Sequence, residues 1–180
     1  MSKSVKHLAI IKSDDEHDEY GTPLFSSKPL QSFNDACDTL GCTPVVDYFA
    51  SDKLHVCKKY YTKSDDSFSK SWTENGFINP PYSIIKKVMK KAYEEHLANN
   101  IELMILCYAK TETKWWWDFV QDKAEVHFIK GRMRFLDANG NQTKLSAPYG
   151  SAWVIYRPKL EITVRVQSMF PNRQKYGKLR

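Results

Sequence analysis

Four consecutive residues, Asn79, Pro80, Pro81 and Tyr82, have the types and order needed to hold a planar amine. Two prolines fix φ and remove two amide donors, so the segment presents carbonyl oxygens and the Asn79 amide oxygen as acceptors. The Asn79 oxygen and the Pro80 carbonyl can each accept one hydrogen of an exocyclic NH₂, which directs the nitrogen lone pair towards an electrophile. The Tyr82 ring can stack on the attached heterocycle. The alternative is a rigid turn with Tyr82 in the core.

The flanking segments place this tetrapeptide at the edge of a sheet. Residues 76–79 form a short apolar strand pattern that stops at the prolines, and a helix capped by Ser83 is predicted to follow. The helix ends at residues 99–100 and has one apolar stripe: Ile84, Ile85, Val88, Met89, Ala92, Tyr93, His96 and Leu97. We expect His96 to be a hydrogen-bonded core residue rather than a ligand. The tetrapeptide therefore lies at the carboxyl edge of the sheet, where α/β proteins bind ligands.

The rest of the chain alternates strand and helix patterns. Apolar runs predict strands at residues 44–50, 59–62, 101–108, 151–156 and 160–166 and within 124–135. Helical spacing predicts helices at residues 24–40, ended by Gly41, and at 111–121. Of Trp115, Trp116 and Trp117 we expect two in the core and one at the site, since adjacent rings on a helix face different ways. The alternation predicts an α/β fold with crossover helices.

Charge is distributed unevenly along the 180 residues, a length that suits one domain. The net charge is +6, and residues 157–180 hold seven basic side chains and one acidic one, Glu161. This basic tail indicates a polyanionic partner, with nucleic acid first, although a tail that only aids solubility is the alternative. No apolar run approaches the roughly 20 residues of a membrane helix, and no signal peptide is recognisable. We therefore expect a cytoplasmic protein.

The cysteines indicate neither a disulfide scaffold nor a metal centre. Cys37, Cys42, Cys57 and Cys107 form no CxxC pair, and the five histidines are scattered. Buried free thiols in a reduced compartment are the expectation. A zinc site built from the first three cysteines and a histidine is the disfavoured alternative, and no metal is predicted.

These residues, from about Tyr20 to Tyr156, resemble the S-adenosylmethionine-dependent amino-methyltransferases, and specifically the small phage-type DNA N6-adenine methyltransferases. The tetrapeptide 79–82 is similar to the family's catalytic NPPY motif. Thr22 and Pro23 resemble a TP motif that lies against the methionine end of the methyl donor. The segment 46–50 resembles the first cofactor motif, which implies that Asp47, Phe49 and Ala50 bind the cofactor.

Two further regions carry the resemblance. Residues 60–62, the pair Asp65–Asp66 and Trp72 are similar to a segment in which an acid caps the adenine amino group of the donor. Asp66 is preferred over Asp65 because it lies closer to Phe68, and a solvated acidic turn is the alternative. Residues 113–116 and 131–135 resemble segments that are structural or DNA-facing in the family.

The resemblance implies a Rossmann-like α/β methyltransferase fold with a mostly parallel central sheet flanked by helices. The expected organisation is a flexible acidic leader at residues 1–19, a methyltransferase domain at 20–167 and a basic tail at 168–180. The implied reaction moves the methyl group of S-adenosylmethionine to N6 of an adenine flipped out of DNA. An amine in RNA, a protein glutamine, or a non-catalytic nucleic-acid-binding role on the same fold are the alternatives. A phage origin would place the protein in the host cytoplasm.

Basic side chains near these segments are the candidate DNA contacts. They are Lys110, Lys114, Lys130, Arg132, Arg134, Arg173, Lys175, Lys178 and Arg180. A chain of this length has no room for a large target-recognition domain, so we expect short or relaxed sequence specificity. Neither the oligomeric state nor the target site follows from the sequence.

Overall fold

The computed structural model describes residues 32–136 and 142–159. Two short 3₁₀ helices, Ser67–Ser69 and Tyr82–Ile84, lie among its regular elements. In chain order the helices and strands are α1 Phe33–Leu40, β1 Val46–Asp47, β2 Lys59–Tyr60, β3 Gly76–Ile78, α2 Ile85–Asn99, β4 Leu103–Tyr108, α3 Lys114–Phe119, β5 Glu125–Phe128, β6 Arg134–Leu136, β7 Gln142–Ser146 and β8 Ser151–Tyr156. The predicted leader, the Thr22–Pro23 motif, the strand at 160–166 and the tail at 168–180 lie outside the described residues.

Six strands form one sheet in the order β2-β1-β3-β4-β8-β5. Neighbouring strands from β2 to β4 are parallel, whereas β8 is antiparallel to both β4 and β5. Five strands therefore run in one direction and β8 runs in the other. The prediction of an α/β fold with a mostly parallel sheet is confirmed, and β3 occupies an interior position between β1 and β4.

Side chains that alternate along β4 separate the core into two layers. Leu103, Ile105 and Cys107 face the layer that contains buried residues of α2 and α3. Met104, Leu106 and Tyr108 face the layer that contains Ala36 of α1. All six residues of β4 are buried, as is expected for a central strand covered on both faces.

The end of α1 confirms the predicted helix stop. Gly41 has φ 65°, and its N–H donates to the Cys37 carbonyl. Glycine adopts this left-handed conformation at no steric cost. The Arg157 guanidinium donates to the Leu40 carbonyl, which ties the last turn of α1 to the end of β8.

The start of α2 differs from the prediction. Ser83 does not cap it; Tyr82–Ile84 form a 3₁₀ turn, and Ile84 takes the N-cap position without a side-chain hydrogen bond. The buried stripe of α2 consists of Val88, Met89, Ala92 and His96. Leu97 is 51% exposed, so its predicted place in the core was wrong.

The predicted core roles of His96 and of two of the three adjacent tryptophans are confirmed. The His96 Nδ1 lies 2.8 Å from the Ile101 carbonyl oxygen in the buried layer. In α3, Trp115 and Trp116 are buried, whereas Trp117 is 59% exposed. Within 32–136 and 142–159, no helix is long and apolar enough to cross a membrane.

Candidate active site

Asn79 directly follows β3, at the carboxyl end of an interior strand, and only 1% of its surface is exposed. The motif therefore lies where the sequence predicted, between a strand and a helix. Asp47 pairs with Phe77 in the register of β1 and β3, so both side chains lie on one face of the sheet. Alternation along the strand returns Asn79 to the face of Phe77. Asp47 and Asn79 are thus brought to the same face and the same edge.

The Tyr82 ring stacks on Tyr108, the last residue of β4. Their ring centroids are 3.7 Å apart and the planes differ by 14°. The Tyr82 hydroxyl is buried and has no hydrogen-bond partner among the described residues. Burial, and then the neighbouring Tyr108 and Cys107, raise the pKa of Tyr82 well above its usual value. The phenol therefore stays neutral at physiological pH.

The aromatic contacts continue towards the surface. The Tyr108 ring meets Tyr149 at 5.5 Å with the planes tilted by 55°. The Lys110 Nζ lies 4.1 Å from the centroid of the Tyr149 ring, a cation–π distance. The sequence placed Tyr108 in a buried strand and gave no role to Tyr149. In the sequence, only the position of Tyr108, an aromatic residue at the end of the strand that follows the motif helix, could have indicated a contact with the motif.

The Asp47 carboxylate is buried and holds the loop after β1. Its Oδ1 accepts from the Phe49 N–H at 3.3 Å, and its Oδ2 accepts from the Val56 N–H at 3.1 Å. Burial raises the pKa of Asp47 to about 7, against the opposing effect of the two N–H groups. Each carboxylate oxygen keeps a further lone pair, so the group can still pair with a cation.

Phe49 and Ala50 are fully buried, so their side chains belong to the core. The Phe49 ring meets Phe68 edge-on at 5.5 Å and Trp72 edge-on at 6.0 Å. The Ala50 N–H donates to the Tyr61 carbonyl at 2.9 Å.

The two candidate adenine-capping acids both stabilise their own turns. The Asp66 carboxylate accepts from the Phe68 N–H at 3.2 Å. The Asp65 carboxylate accepts from the N–H and the hydroxyl of Thr62 at 2.8 and 2.7 Å. The hydrogen bonds from Thr62 lower the pKa of Asp65. Both acids are exposed.

The candidate DNA-contacting side chains differ in the ion pairs and hydrogen bonds that they make within the protein. Lys114 pairs with Asp118 at 2.9 Å on the exposed side of α3. The Arg132 guanidinium donates to the Ala147 carbonyl at 2.9 Å and also to the Pro148 carbonyl, so part of it holds the loop before β8. The side chain of Arg134 and the tail residues lie outside the described part of the chain.

The cysteines are free, and Cys42, Cys57 and Cys107 are buried. Burial raises the pKa of Cys107 to about 12, so it is a neutral thiol rather than a nucleophile at physiological pH. Within the two described ranges, no group of three or more His, Cys, Asp or Glu side chains could hold a metal ion.

Comparisons with known proteins give a consistent result. A family model described as DNA N-6-adenine-methyltransferase (Dam) matches residues 18–177. A relative from Escherichia phage T1, named DNA N-6-adenine-methyltransferase, is 31% identical over 99 residues. The aligned part is 54% of this chain and 41% of that relative, so less than half of the phage protein's length is spanned. No solved structure matches.

Proposed function

The chain belongs to the DNA N-6-adenine-methyltransferase family, and from this we propose that it transfers a methyl group from S-adenosylmethionine to the N6 amino group of adenine in DNA. The observation that carries the proposal is the position of Asn79, buried at the carboxyl end of β3 and followed by Pro80, Pro81 and the stacked ring of Tyr82. Acceptors and a ring face at this edge suit an extruded base.

Asn79 and Pro80 orient the amine in the proposed mechanism. The Asn79 amide oxygen and the Pro80 carbonyl each accept one amino hydrogen, while Pro81 keeps the segment rigid and Tyr82 stacks on the base. The amine nitrogen forms a bond to the methyl carbon as the carbon–sulfur bond breaks. The proton leaves to water after the transfer, when the nitrogen is cationic, so the protein needs no strong base. Most of the rate enhancement comes from positioning in a preorganised pocket.

The residues present fit a cationic methyl donor. When bound, S-adenosylmethionine supplies an electrophilic methyl group on a sulfonium. Asp47 offers a buried carboxylate with remaining acceptor capacity on the face shared with Asn79. Phe49 and Ala50 would contribute backbone contacts, and Asp66 would accept from the donor's adenine amino group. Thr22 and Pro23 are the remaining residues proposed to bind the methyl donor.

DNA binding is assigned to basic side chains around this edge of the sheet and to the tail. Lys110 and Lys114 flank the start of α3, directly after the strand that ends in Tyr108. Arg132, Arg134 and the residues 168–180 supply further positive charge in the proposal. The sheet order supports a Rossmann-like methyltransferase fold for the domain. The phage relative supports a phage origin and action in the host cytoplasm.

The proposal is tested by transfer of a labelled methyl group from S-adenosylmethionine to unmethylated DNA, followed by nucleoside mass spectrometry. We expect N6-methyladenine with the wild-type chain and a transfer rate about 10²–10³-fold lower with Asn79→Ala. Cofactor binding without transfer to DNA would redirect the search to RNA and protein substrates. Failure to bind the cofactor would contradict the methyltransferase proposal itself.

A further inference from the structure

Three tyrosine rings lie in contact beside the NPPY motif. Tyr82 lies on Tyr108 at 3.7 Å, and Tyr108 meets Tyr149 at 5.5 Å. The inner pair is nearly parallel, whereas the outer pair is tilted. Tyr108 is 8% exposed and is the most buried of the three, whereas Tyr82 is partly exposed and Tyr149 is 48% exposed.

Tyr108 is held rigidly by the sheet. It pairs with Ser151 in the register of β4 and β8, and its ring packs in the core layer on the α1 side. The ring also contacts two other tyrosines, Tyr82 and Tyr149. A central strand fixes the backbone from which this side chain projects, so Tyr108 is a firm support for a neighbouring ring.

Tyr82 lacks a comparable anchor of its own. It begins a three-residue 3₁₀ turn, and its hydroxyl has no hydrogen-bond partner in the described ranges. The plane of its ring is therefore set by packing, and the parallel contact with Tyr108 is the closest ring contact that it makes. A base inserted between the two rings would need roughly 7 Å, two carbon–carbon contact distances, so it cannot share that face while the stack persists.

We propose that Tyr108 is a positioning residue that fixes the plane of the Tyr82 ring and leaves the opposite face of Tyr82 for the extruded base. This inference rests on the proposed function. Tyr108 itself does not touch the substrate. It acts through Tyr82, so its loss lowers the fraction of bound DNA whose target amine meets Asn79 and Pro80 in the reactive orientation, while binding to the DNA backbone is unaffected.

The variants Tyr108→Leu and Tyr108→Phe separate this role from plain core packing. Leu fills much of the space without a ring, whereas Phe keeps the ring and loses only the hydroxyl. We expect Tyr108→Leu to lower the single-turnover rate of methyl transfer about tenfold, within the range that one base–aromatic stack contributes. The dissociation constants for a generic DNA duplex and for S-adenosylmethionine should change less than about twofold, and Tyr108→Phe should restore the rate. Thermal unfolding of each variant checks that it is folded.

A double-mutant cycle with Tyr82→Ala completes the test. If Tyr108 acts through Tyr82, then Tyr108→Leu should have little further effect on the transfer rate once Tyr82 is gone. Equal rates for folded Tyr108→Leu and Tyr108→Phe, or additive losses in the double variant, would overturn the inference alone while wild-type transfer stands. Absence of transfer by the wild-type chain would instead overturn the proposed function and this inference with it.

Discussion

The ring of Tyr48 lies directly over Gly76, the first residue of β3, the strand that Asn79 directly follows. A Cβ built on Gly76 would lie 2.1 Å from the Tyr48 Cε2, far inside van der Waals contact. Tyr48 cannot easily yield, because its ring stacks on Trp72 at 4.4 Å and its hydroxyl donates to the Glu74 carbonyl at 3.0 Å. The absence of a side chain at Gly76 therefore lets β3 sit beside β1, and this places Asp47 and Asn79 at one edge.

Gly76→Ala should destabilise the protein because the added methyl group displaces the Tyr48 ring or the strand. Overpacking a tight core costs about 1–3 kcal/mol, and we expect a loss at the upper end in the free energy of unfolding measured with urea. Gly150→Ala is the matched control, since a Cβ there meets no atom within 4 Å. Equal stability of the two variants would show that Tyr48 moves aside at little cost.

Asn79→Ala should abolish most methyl transfer while DNA and cofactor affinities stay close to wild type. Removal of one preorganised hydrogen-bonding group typically lowers kcat about 10²–10³-fold. Asn79→Asp keeps an acceptor oxygen of similar position and is expected to retain more activity than the alanine variant. Methyl transfer by single-turnover kinetics and DNA binding by fluorescence anisotropy measure the two effects. An alanine variant with full activity would rule out the proposed role of Asn79 in orienting the amine.

The Tyr82 hydroxyl should contribute nothing to stability, because it is buried and has no hydrogen-bond partner in the part of the chain that the structure describes. Tyr82→Phe keeps the ring and removes the desolvated group, so the free energy of unfolding should stay the same or rise by up to about 1 kcal/mol. Tyr156→Phe is the control: its hydroxyl donates to the Phe119 carbonyl at 2.5 Å, and its loss should cost about 1–3 kcal/mol. A loss of stability in Tyr82→Phe matching that of Tyr156→Phe would indicate an unrecognised partner for Tyr82.

The central unit of strand, motif and helix could be predicted because its signals are local. Three apolar residues, two prolines and a helical repeat follow one another within about 25 positions. Ser83 failed as the predicted cap because the backbone continues from Pro81 (φ −54°, ψ 131°) into a 3₁₀ turn, which encloses Ser83 and moves the cap to Ile84. The apolar stripe of α2 was predicted too wide, and Leu97 falls beyond its edge.

Contacts between distant segments could not be predicted in the same way. The stack of Tyr82 on Tyr108 joins residues 26 positions apart, and no local pattern encodes it. Phe49 matched a cofactor motif by sequence, yet the structure places its ring against Phe68 and Trp72. Periodicity shows that a residue is buried, whereas only the folded sheet shows which rings meet.

Lys110 should contribute one phosphate contact, since its ammonium lies over the exposed Tyr149 ring beside the site. Lys110→Gln is expected to reduce the slope of log K for DNA against log salt by about 1. Lys90→Gln on α2, whose ammonium lies 3.7 Å from Glu94, is the matched control and should leave the slope unchanged. The measurement is anisotropy titration of a labelled duplex at several salt concentrations. Equal slopes for the two variants would remove Lys110 from the DNA interface.

Asp47 should make stability depend on pH in a direction opposite to that of a solvent-exposed ion pair. Its pKa is raised from 3.8 to about 7, so between these values the folded protein binds a proton that the unfolded chain releases. The contribution of Asp47 to the free energy of unfolding is therefore fully present below about pH 4 and is lost as the pH rises to about 7.

Asp47→Asn removes this titration and isolates its effect. The variant loses one backbone hydrogen bond at every pH, because both carboxylate oxygens accept from N–H groups and an amide offers only one oxygen. The test is therefore the slope with pH rather than the absolute stability. Between pH 4.5 and 7.5, urea unfolding should show wild-type stability falling relative to the variant by on the order of 3 kcal/mol, since each pKa unit corresponds to about 1.4 kcal/mol. If the stabilities of the wild type and the variant changed in parallel with pH, Asp47 would titrate at its ordinary pKa. Its carboxylate would then be better solvated than its burial implies.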